Sequence, residues 1–297
     1  MASFNPDNLP TGQLHGLLLG AIGPRPIAFA STIDAQGRPN LAPFSFFNVF
    51  SARPPILIFS PARRGRDNTT KHTFDNVIAH PEVVINIVNY NMVQQMSLAS
   101  SDFDAGISEF DKAGFTPLAS LAVKPFRVKE SPAQFECKVN EVVELGNNGG
   151  AGNLVICQVV QFHIDDALLD SDGRIDQTKI DTIGRMGGEW YTRANGSALF
   201  EVAKPGATPG MGFELLPTDI RQSHILSGND LGQLANIHSV PDETAVNEYR
   251  LTELSELFIT LEHDAEALED ALHRKAKAHL SNGLVREAWL TLLSFNN

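Results

Sequence analysis

The chain has 297 residues, of which 42% are hydrophobic and 20% are charged, a composition typical of a globular protein with a sizeable core. Its formal net charge of −12 repels nucleic acid and anionic lipid, so neither is expected as a partner. No apolar run approaches the ~20 residues of a membrane-spanning helix, and no basic segment precedes an apolar one as in a secretory signal. Two cysteines in so long a chain are typical of a reducing compartment, so we expect a cytoplasmic protein with buried thiols.

Short apolar runs separated by turn residues occupy the first two thirds of the sequence. Residues 1–23 are interpreted as a leader with a small apolar patch at His15–Ile22. The predicted strands are Ile27–Ile33, Leu41–Phe50, Ile56–Ser60, Val83–Val88, Phe126–Lys129, Ala133–Glu144 and Leu154–Ile164. The predicted short helices are Thr73–Ala79, Met92–Ser100 and Glu109–Ala113. Many short strands with few long helices favour a β-barrel over a parallel sheet.

The composition changes at Lys204–Gly210, a segment rich in Pro and Gly that predicts a linker. After it the chain is acidic, and apolar residues within Leu251–Leu272 recur every three or four positions, which predicts one apolar helical stripe. A further helix is predicted at Val285–Leu293. The sequence therefore predicts two domains, residues 1–203 and an acidic helical extension at residues 204–297.

One segment, Ser60–Thr73, combines the groups that bind a phosphate monoester. Such a ligand needs charged donors from Lys or Arg, hydroxyl donors and free backbone N–H groups at a helix N-terminus. The segment holds three Arg, one Lys and three Thr, and it runs from a predicted strand end into a predicted helix start. Two plainer interpretations stay open: a solvated basic loop, and for Thr73 a helix N-cap.

An aromatic segment, Asn40–Ser51, contains four phenylalanines interleaved with polar residues. The phenylalanines alone are as typical of a core as of a binding site. Ser45, Asn48 and Ser51 are harder to explain by packing, because each needs a hydrogen-bond partner if it is buried. An isoalloxazine ring offers such partners at its pyrimidine edge and apolar contact at its benzenoid end. The pattern therefore favours a flavin-binding hairpin.

Other binding and catalytic motifs are absent from the sequence. The nine His show no zinc-ligand spacing such as His-Glu-x-x-His, so no metal is predicted. No Gly-x-Gly-x-x-Gly follows a strand, which argues against a Rossmann domain, and no Gly-x-Ser-x-Gly nucleophile elbow occurs. Gly146–Asn153 holds four glycines, but it lies between predicted strands and is interpreted as a hairpin loop. No catalytic side chain is predicted.

The sequence resembles the flavin reductase-like family at several spaced motifs. These are Pro24–Ala28, Asn40–Phe47, Pro54-Pro55, Lys71-His72-Thr73, Glu136-Cys137 and Leu154–Ile164 with Asp165-Asp166. They occur in the family's order over roughly residues 20–195, although the family commonly has Lys-Asp-Thr where this chain has Lys71-His72-Thr73. The resemblance implies a mainly β fold with helical additions: an FMN-binding split β-barrel of six strands, to which this chain adds a C-terminal helical extension. It also implies a homodimer with FMN at two sites along the subunit interface.

The resemblance assigns roles by position. The residues expected along the flavin ring, largely through their backbone, are Pro43, Phe44, Ser45 and Phe46, with Asn48 near the ring or the ribityl chain. The residues expected to hold the phosphate are Ser60, Thr69, Thr70, Lys71 and Thr73. Arg25 is a further candidate for this pocket, with a salt bridge that fixes its strand as the alternative. Arg185–Tyr191 is also similar to the family, so Trp190 or Tyr191 is expected either to cover the flavin or to lie at the dimer interface.

The implied function is NAD(P)H-dependent reduction of FMN, with electrons passed to a second acceptor such as a partner oxygenase. Hydride passes between stacked rings, so no protein acid or base is required. Two alternatives stay open: an FMN-binding electron carrier without NAD(P)H activity of its own, and an interaction module whose acidic tail docks a partner protein. Within the tail, Ile225–Gly232 is either a loop near the active site or part of an arm that strengthens the dimer, and we favour the arm.

Overall fold

The structure is a computed structural model that describes residues 1–206 and 208–295. The chain divides into two compact units, Met1–Phe200 and Glu201–Asn297. The division falls close to the predicted linker, where residues 201–206 form neither helix nor strand. A helix with the length and apolar character needed to cross a membrane is not found among the described residues.

The first unit begins with a helix where the sequence predicted a leader. A 3-10 turn at Pro6–Asn8 precedes helix α1, Thr11–Ala21, so most of the apolar patch lies on a helix. The helix ends before Gly23 and Pro24, because a proline cannot donate the backbone hydrogen bond that would continue it.

Strands dominate the rest of the first unit. They are β1 Ala28–Ile33, β2 Pro39–Phe44, β3 Phe47–Ala52, β4 Pro55–Phe59, β5 Glu82–Ile87, β6 Pro117–Leu118, β7 Arg127–Val128, β8 Ala133–Glu144, β9 Asn153–Ile164, β10 Ile183–Arg185 and β11 Tyr191–Arg193. The other helices are α2 His72–Ala79, α3 Val93–Leu98 and α4 Glu109–Ala113. The three predicted short helices and most predicted strands are confirmed, with small differences at their ends. The pairs β6–β7 and β10–β11 lie outside the main sheet.

Seven strands form one antiparallel sheet in the order β2-β1-β5-β8-β9-β4-β3. β2 and β3 are separated in sequence only by Ser45 and Phe46, yet they lie at opposite ends of that order. The sheet must therefore curl until its two edges approach, which makes a barrel that is split between β2 and β3. The expected split β-barrel is confirmed, but the single strand predicted at Leu41–Phe50 is wrong, because β2 pairs with β1 while β3 pairs with β4. The sheet accordingly has seven strands rather than six.

Two clusters of buried side chains lie on the two sides of β1, because successive residues of a strand point to opposite faces. Its alanines join Phe59 and both cysteines in one cluster, whereas Phe29 packs with Phe110 of α4 in the other. Cys137 and Cys157 are free and buried, as predicted, and burial raises the pKa of both thiols. The two cysteines therefore contribute to the packing of the core.

The second unit is helical in its described residues. Its helices are α5 Thr218–Arg221, α6 Gly228–Ala235, α7 Glu243–Glu253, α8 Ser255–Thr260, α9 Ala265–Ser281 and α10 Val285–Leu293. Trp289 is fully buried among α6, α9 and α10, and its indole N–H donates to the carbonyl of Leu234 at 3.1 Å. This unit therefore has a core of its own.

Two details of the second unit differ from the sequence prediction. The predicted stripe is divided among α7, α8 and α9, because Asp264 caps the start of a new helix, and Leu251 is left 74% exposed. Ile225–Gly232 does not form a loop throughout, because Ser227 and Asp230 make a capping box that begins α6.

Candidate functional site

The predicted phosphate segment leaves β4 at Ser60 and enters α2 at His72. Ser60 is buried, and its hydroxyl accepts a hydrogen bond from the Asn153 N–H at 3.0 Å. The Ser60 N–H donates to the carbonyl of Phe46 at 2.9 Å. Ser60 therefore ties the start of this segment to the turn between β2 and β3.

The glycine-rich connection between β8 and β9 supports the same segment. The Arg63 N–H donates to the Ala151 carbonyl at 2.8 Å, and the Gly150 N–H donates to the Arg63 carbonyl at 3.0 Å. A Cβ at Gly149 would lie only 3.1 Å from the Arg64 carbonyl oxygen, so a glycine lets the two loops approach closely. Sequence reasoning treated this connection as a hairpin loop and missed the contact, although its four glycines were the signal.

Three cationic side chains of the segment converge on one carboxylate, that of Asp102; we call Arg64, Arg66 and Lys71 the cation cluster. Arg64 Nη2, Arg66 Nη2 and Lys71 Nζ lie 3.2, 2.9 and 3.2 Å from the Asp102 oxygens. Partial burial favours a raised pKa for Asp102, but the hydrogen bonds and charges of Lys71 and Arg64 outweigh it and hold the pKa below its ordinary value. The cluster therefore holds an anion, and sequence reasoning predicted the cations without Asp102.

The predicted hydroxyl donors of the segment have partners within the protein. Thr69 Oγ1 donates to Asp67 at 2.7 Å, and Thr70 Oγ1 donates to Asp75 at 2.8 Å. Of the residues assigned to the phosphate, Lys71 is the one whose side chain reaches the anion position in this structure.

Thr73 lies in the first turn of α2, where Lys71 occupies the N-cap position, so the N-cap interpretation of Thr73 is wrong. Its buried hydroxyl donates to Asn40 Oδ1 at 2.9 Å, and the Asn40 amide donates to Glu109 Oε1 at 2.8 Å. The other Glu109 oxygen accepts the Leu41 N–H at 2.8 Å. These bonds join α2, β2 and α4 behind the cation cluster.

Glu109 is only 4% exposed, and no Lys or Arg pairs with it among the described residues. Burial raises the pKa of its carboxyl above the ordinary value of 4.5, although the bonds from Leu41 and Asn40 oppose that shift. A small cavity of about 30 Å³, lined by Glu109, Thr73 and Asp102 among others, separates this carboxyl from the cation cluster. Burying a carboxylate is costly, and the nearby His72 offsets only part of that cost, so the neutral form of Glu109 is favoured relative to a carboxyl in water.

The predicted ring-binding residues lie at the split of the barrel. Pro43 and Phe44 end β2, Ser45 and Phe46 form the turn, and Asn48 is exposed in β3. Phe44 packs on Phe59 with ring centroids 5.5 Å apart, so core packing accounts for Phe44. Phe46 is 40% exposed, and its ring is available to a ligand.

Arg25 is buried, and its guanidinium donates to backbone carbonyls: to Leu19 and Met186 at 2.9 Å each, and to Ile22. The alternative of a salt bridge is wrong, because these partners are carbonyls. The guanidinium closes the C-terminal end of α1, and its Nε lies 3.5 Å from Ser45 Oγ. Arg25 therefore positions the β2–β3 turn.

A larger cavity of about 560 Å³ lies beside α3 and the pair β10–β11. Arg193 stacks on the ring of Tyr90 at 3.8 Å, and Arg185 stacks on Tyr191 at 4.6 Å. Two bonds of 2.7 Å join Arg193 to Asp181, whereas Arg185 has no ion pair within the described part of the chain. The cavity therefore combines aromatic faces with a cation that forms no ion pair among the described residues, and Glu189 also lines it.

Comparison with known proteins identifies a family. The model of the flavin reductase like domain matches residues 21–179. A protein of Aquifex aeolicus is 37% identical over 189 residues, which cover 64% of this chain and 94% of the relative. A protein of Halalkalibacterium halodurans is 36% identical over 190 residues, which cover 63% of this chain and 90% of the relative.

Solved protein structures are also similar to this chain. Nitrilotriacetate monooxygenase component B from Bacillus cereus is similar with a TM-score of 0.63 and 30% identity, over 69% of this chain and 98% of that one. The 2-nitrobenzoate 2-nitroreductase of Pseudomonas fluorescens gives a TM-score of 0.63 and 26% identity, over 71% of this chain and 100% of that one. The residues of the β2–β3 turn and of the cation cluster lie within the matched range, whereas β10 and β11 follow it.

The raised pKa of Glu109 predicts a pH dependence of stability. The folded protein binds the proton more tightly than the unfolded chain, so the stabilisation is fully present below pH 4.5 and is lost as the pH rises through the raised pKa. The free energy of unfolding of the wild type, relative to Glu109→Gln, should therefore fall as the pH rises from about 4 to about 8. Urea denaturation at several pH values measures this difference.

Glu141→Gln is the matched control, because Glu141 lies exposed on β8. Its difference from the wild type should stay nearly constant over the same range. A constant difference for Glu109→Gln as well would contradict a pKa of Glu109 raised by burial.

Proposed function

We propose that this oxidoreductase, which belongs to the flavin reductase-like family, binds FMN. Electrons would pass through the FMN from NADH or NADPH to a second acceptor. The observation that carries the proposal is the short path from the cation cluster to the β2–β3 turn. Ser60 makes the connection, since its N–H donates to the Phe46 carbonyl at 2.9 Å. One end of the path offers charge for a phosphate, and the other offers aromatic and backbone groups for a ring.

The cation cluster suits the phosphate of FMN. A phosphate monoester carries a charge of about −1.5 to −2 at neutral pH and accepts several hydrogen bonds. Three cations hold the Asp102 carboxylate and Arg66 also pairs with Asp67, so the cluster keeps an excess of one positive charge for a more highly charged anion. Arg64 and Lys71 would hold the phosphate, and Thr73 would keep the start of α2 in place through Asn40.

The β2–β3 turn suits the ring. Ser45 and Phe46 lie outside the strand ladders that end at Phe44 and resume at Phe47, so their backbone N–H groups are not committed to the sheet. An isoalloxazine edge needs such donors, and the exposed ring of Phe46 offers apolar contact. Bound FMN supplies the hydride-accepting ring, and the chain binds and orients the reactants.

The larger cavity supports a nicotinamide nucleotide as the donor. Such a ligand is anionic and aromatic, and Arg185 with Tyr191 offers a cation and an aromatic face. The backbone of Arg185 bridges that of Arg25, which in turn contacts Ser45. Arg25 therefore contacts both the strand that lines the larger cavity and the β2–β3 turn.

The acceptor that we propose is a partner oxygenase in the cytoplasm. The similar Bacillus cereus protein is a component of a monooxygenase, which supports a two-component arrangement. The two buried, unpaired thiols support a reducing compartment.

Lys71→Ala should weaken FMN binding by ~1–3 kcal/mol, the usual effect of losing a charged hydrogen-bond partner. Riboflavin has no phosphate, so its affinity should be unchanged. Titration of the protein with FMN and with riboflavin, followed by flavin fluorescence, measures both. Lys129→Ala, which removes an exposed lysine of the same unit, should leave both affinities at the wild-type value. An equal loss for the two flavins would place Lys71 away from the phosphate.

NADH or NADPH should bleach the flavin absorbance of the FMN-loaded protein within a single anaerobic turnover. Arg185→Ala should raise the nucleotide concentration for half-maximal rate on the order of tenfold, because it removes a cation of the larger cavity that no carboxylate pairs with among the described residues. Stopped-flow absorbance measures the rate, and Arg174→Ala, an exposed arginine elsewhere, is the control. If neither nucleotide reduces the flavin, the electron-carrier alternative replaces this proposal.

A homodimer is supported by the exposed apolar side chains of β3. Val49 is 64% exposed and Phe50 is 63% exposed on this edge strand, and such surfaces are usually covered by a partner. The protein should therefore sediment at twice the chain mass of 32.3 kDa. Val49→Asp should shift it toward the monomer, whereas Ile78→Asp, on the exposed side of α2, should not. A wild type that sediments as a monomer would contradict the dimer.

A further inference from the structure

Asp102 occupies the point on which the cation cluster converges. It lies in the loop of residues 99–108 between α3 and α4, about thirty residues after Lys71 in sequence. Its carboxylate contacts Arg64, Arg66 and Lys71 within 3.2 Å, and its side chain is 36% exposed. An anion supplied by the protein itself therefore fills the position that a ligand phosphate needs.

The space behind Asp102 does not offer an alternative place for a phosphate. The cavity between the cation cluster and the buried network of Thr73, Asn40 and Glu109 is about 30 Å³. A volume of this size holds one or two water molecules. A phosphate that bridges all three cations must therefore take the place of the Asp102 carboxylate, which now lies between them.

We propose that Asp102 is an internal competitor for the phosphate position, which lowers the affinity for every phosphorylated ligand of the cation cluster and keeps its flavin exchangeable. The inference rests on the proposed function for the identity of that flavin, but not for the competition itself. A phosphate that binds must first release the carboxylate from its three partners. The carboxylate then turns to solvent, to which it is already partly open.

The competition acts on phosphate and not on the ring. Any ligand that uses the cation cluster meets the same cost of releasing Asp102, so the affinities for FMN and for inorganic phosphate fall by the same factor. Riboflavin has no group for that position, so its affinity is independent of Asp102. The lowered pKa of Asp102 keeps the carboxylate ionised near neutral pH, so protonation does not relieve the competition there.

Loss of the competitor should be visible as tighter binding. Breaking three partly exposed ion pairs is expected to change a dissociation constant by a factor on the order of ten. Asp102→Asn and Asp102→Ala should therefore each lower the Kd for FMN and for inorganic phosphate by about the same factor, on the order of tenfold. The Kd for riboflavin should not change. Isothermal titration with FMN, riboflavin and inorganic phosphate measures all three.

Asp104→Asn is the matched control, because Asp104 is an exposed carboxylate of the same loop and forms no ion pair within the described part of the chain. It should leave all three affinities unchanged, which separates competition from a general change of loop charge. Thermal unfolding of each variant checks that the fold is retained.

Two results would overturn the inference. If Asp102→Asn and Asp102→Ala weaken FMN binding, Asp102 orients the cations for the ligand and does not compete with it. If they leave FMN and phosphate affinities unchanged, or tighten riboflavin by the same factor, the carboxylate does not occupy the phosphate position. If the wild type binds neither flavin, the proposed function fails, and inorganic phosphate alone decides the inference: Asp102→Asn must still bind it more tightly than the wild type.

Discussion

The first unit depends on one constraint of chain connectivity: β2 and β3 are joined by two residues but lie at opposite edges of the sheet. A two-residue link spans only a few ångströms per residue, so the edges must meet and the sheet must close into a split barrel. The link itself then lies at the opening, where Ser45 and Phe46 have no ladder partners. Closure of the barrel therefore also leaves this backbone turn exposed at the opening between β2 and β3.

The cation cluster is a local concentration of positive charge held on a rigid support. The chain as a whole carries a net charge of −12, so its long-range field does not attract anions. The cation cluster works at short range, where three donors lie within 3.2 Å of one carboxylate. The segment that carries these donors is fixed by the glycine-rich connection on one side and by Ser60 on the other. The Asp102 carboxylate between the three cations offsets their mutual repulsion.

The sequence predicted elements well where one face of a strand or helix is buried, since alternating or helical spacing then appears directly. β8 and α4 were predicted with the bounds that the structure shows. The sequence could not show that Leu41–Phe50 changes sheet edges, because both halves are apolar and only pairing partners tell them apart. Asp102 escaped prediction for a related reason: its role arises from contact with a loop about thirty residues earlier, and no spacing rule reports such a contact.

The parts of the candidate site differ in whether the matched family range includes them. The turn, the cation cluster and Asp102 lie within residues 21–179, so they belong to the part of the chain that the family shares. Arg185, Tyr191 and Arg193, which line the larger cavity, follow that range. Arg193 is neutralised by Asp181, but the charge of Arg185 has no such partner among the described residues. The β10–β11 side of the larger cavity therefore lies outside the range that the family model matches, whereas its α3 side lies within that range.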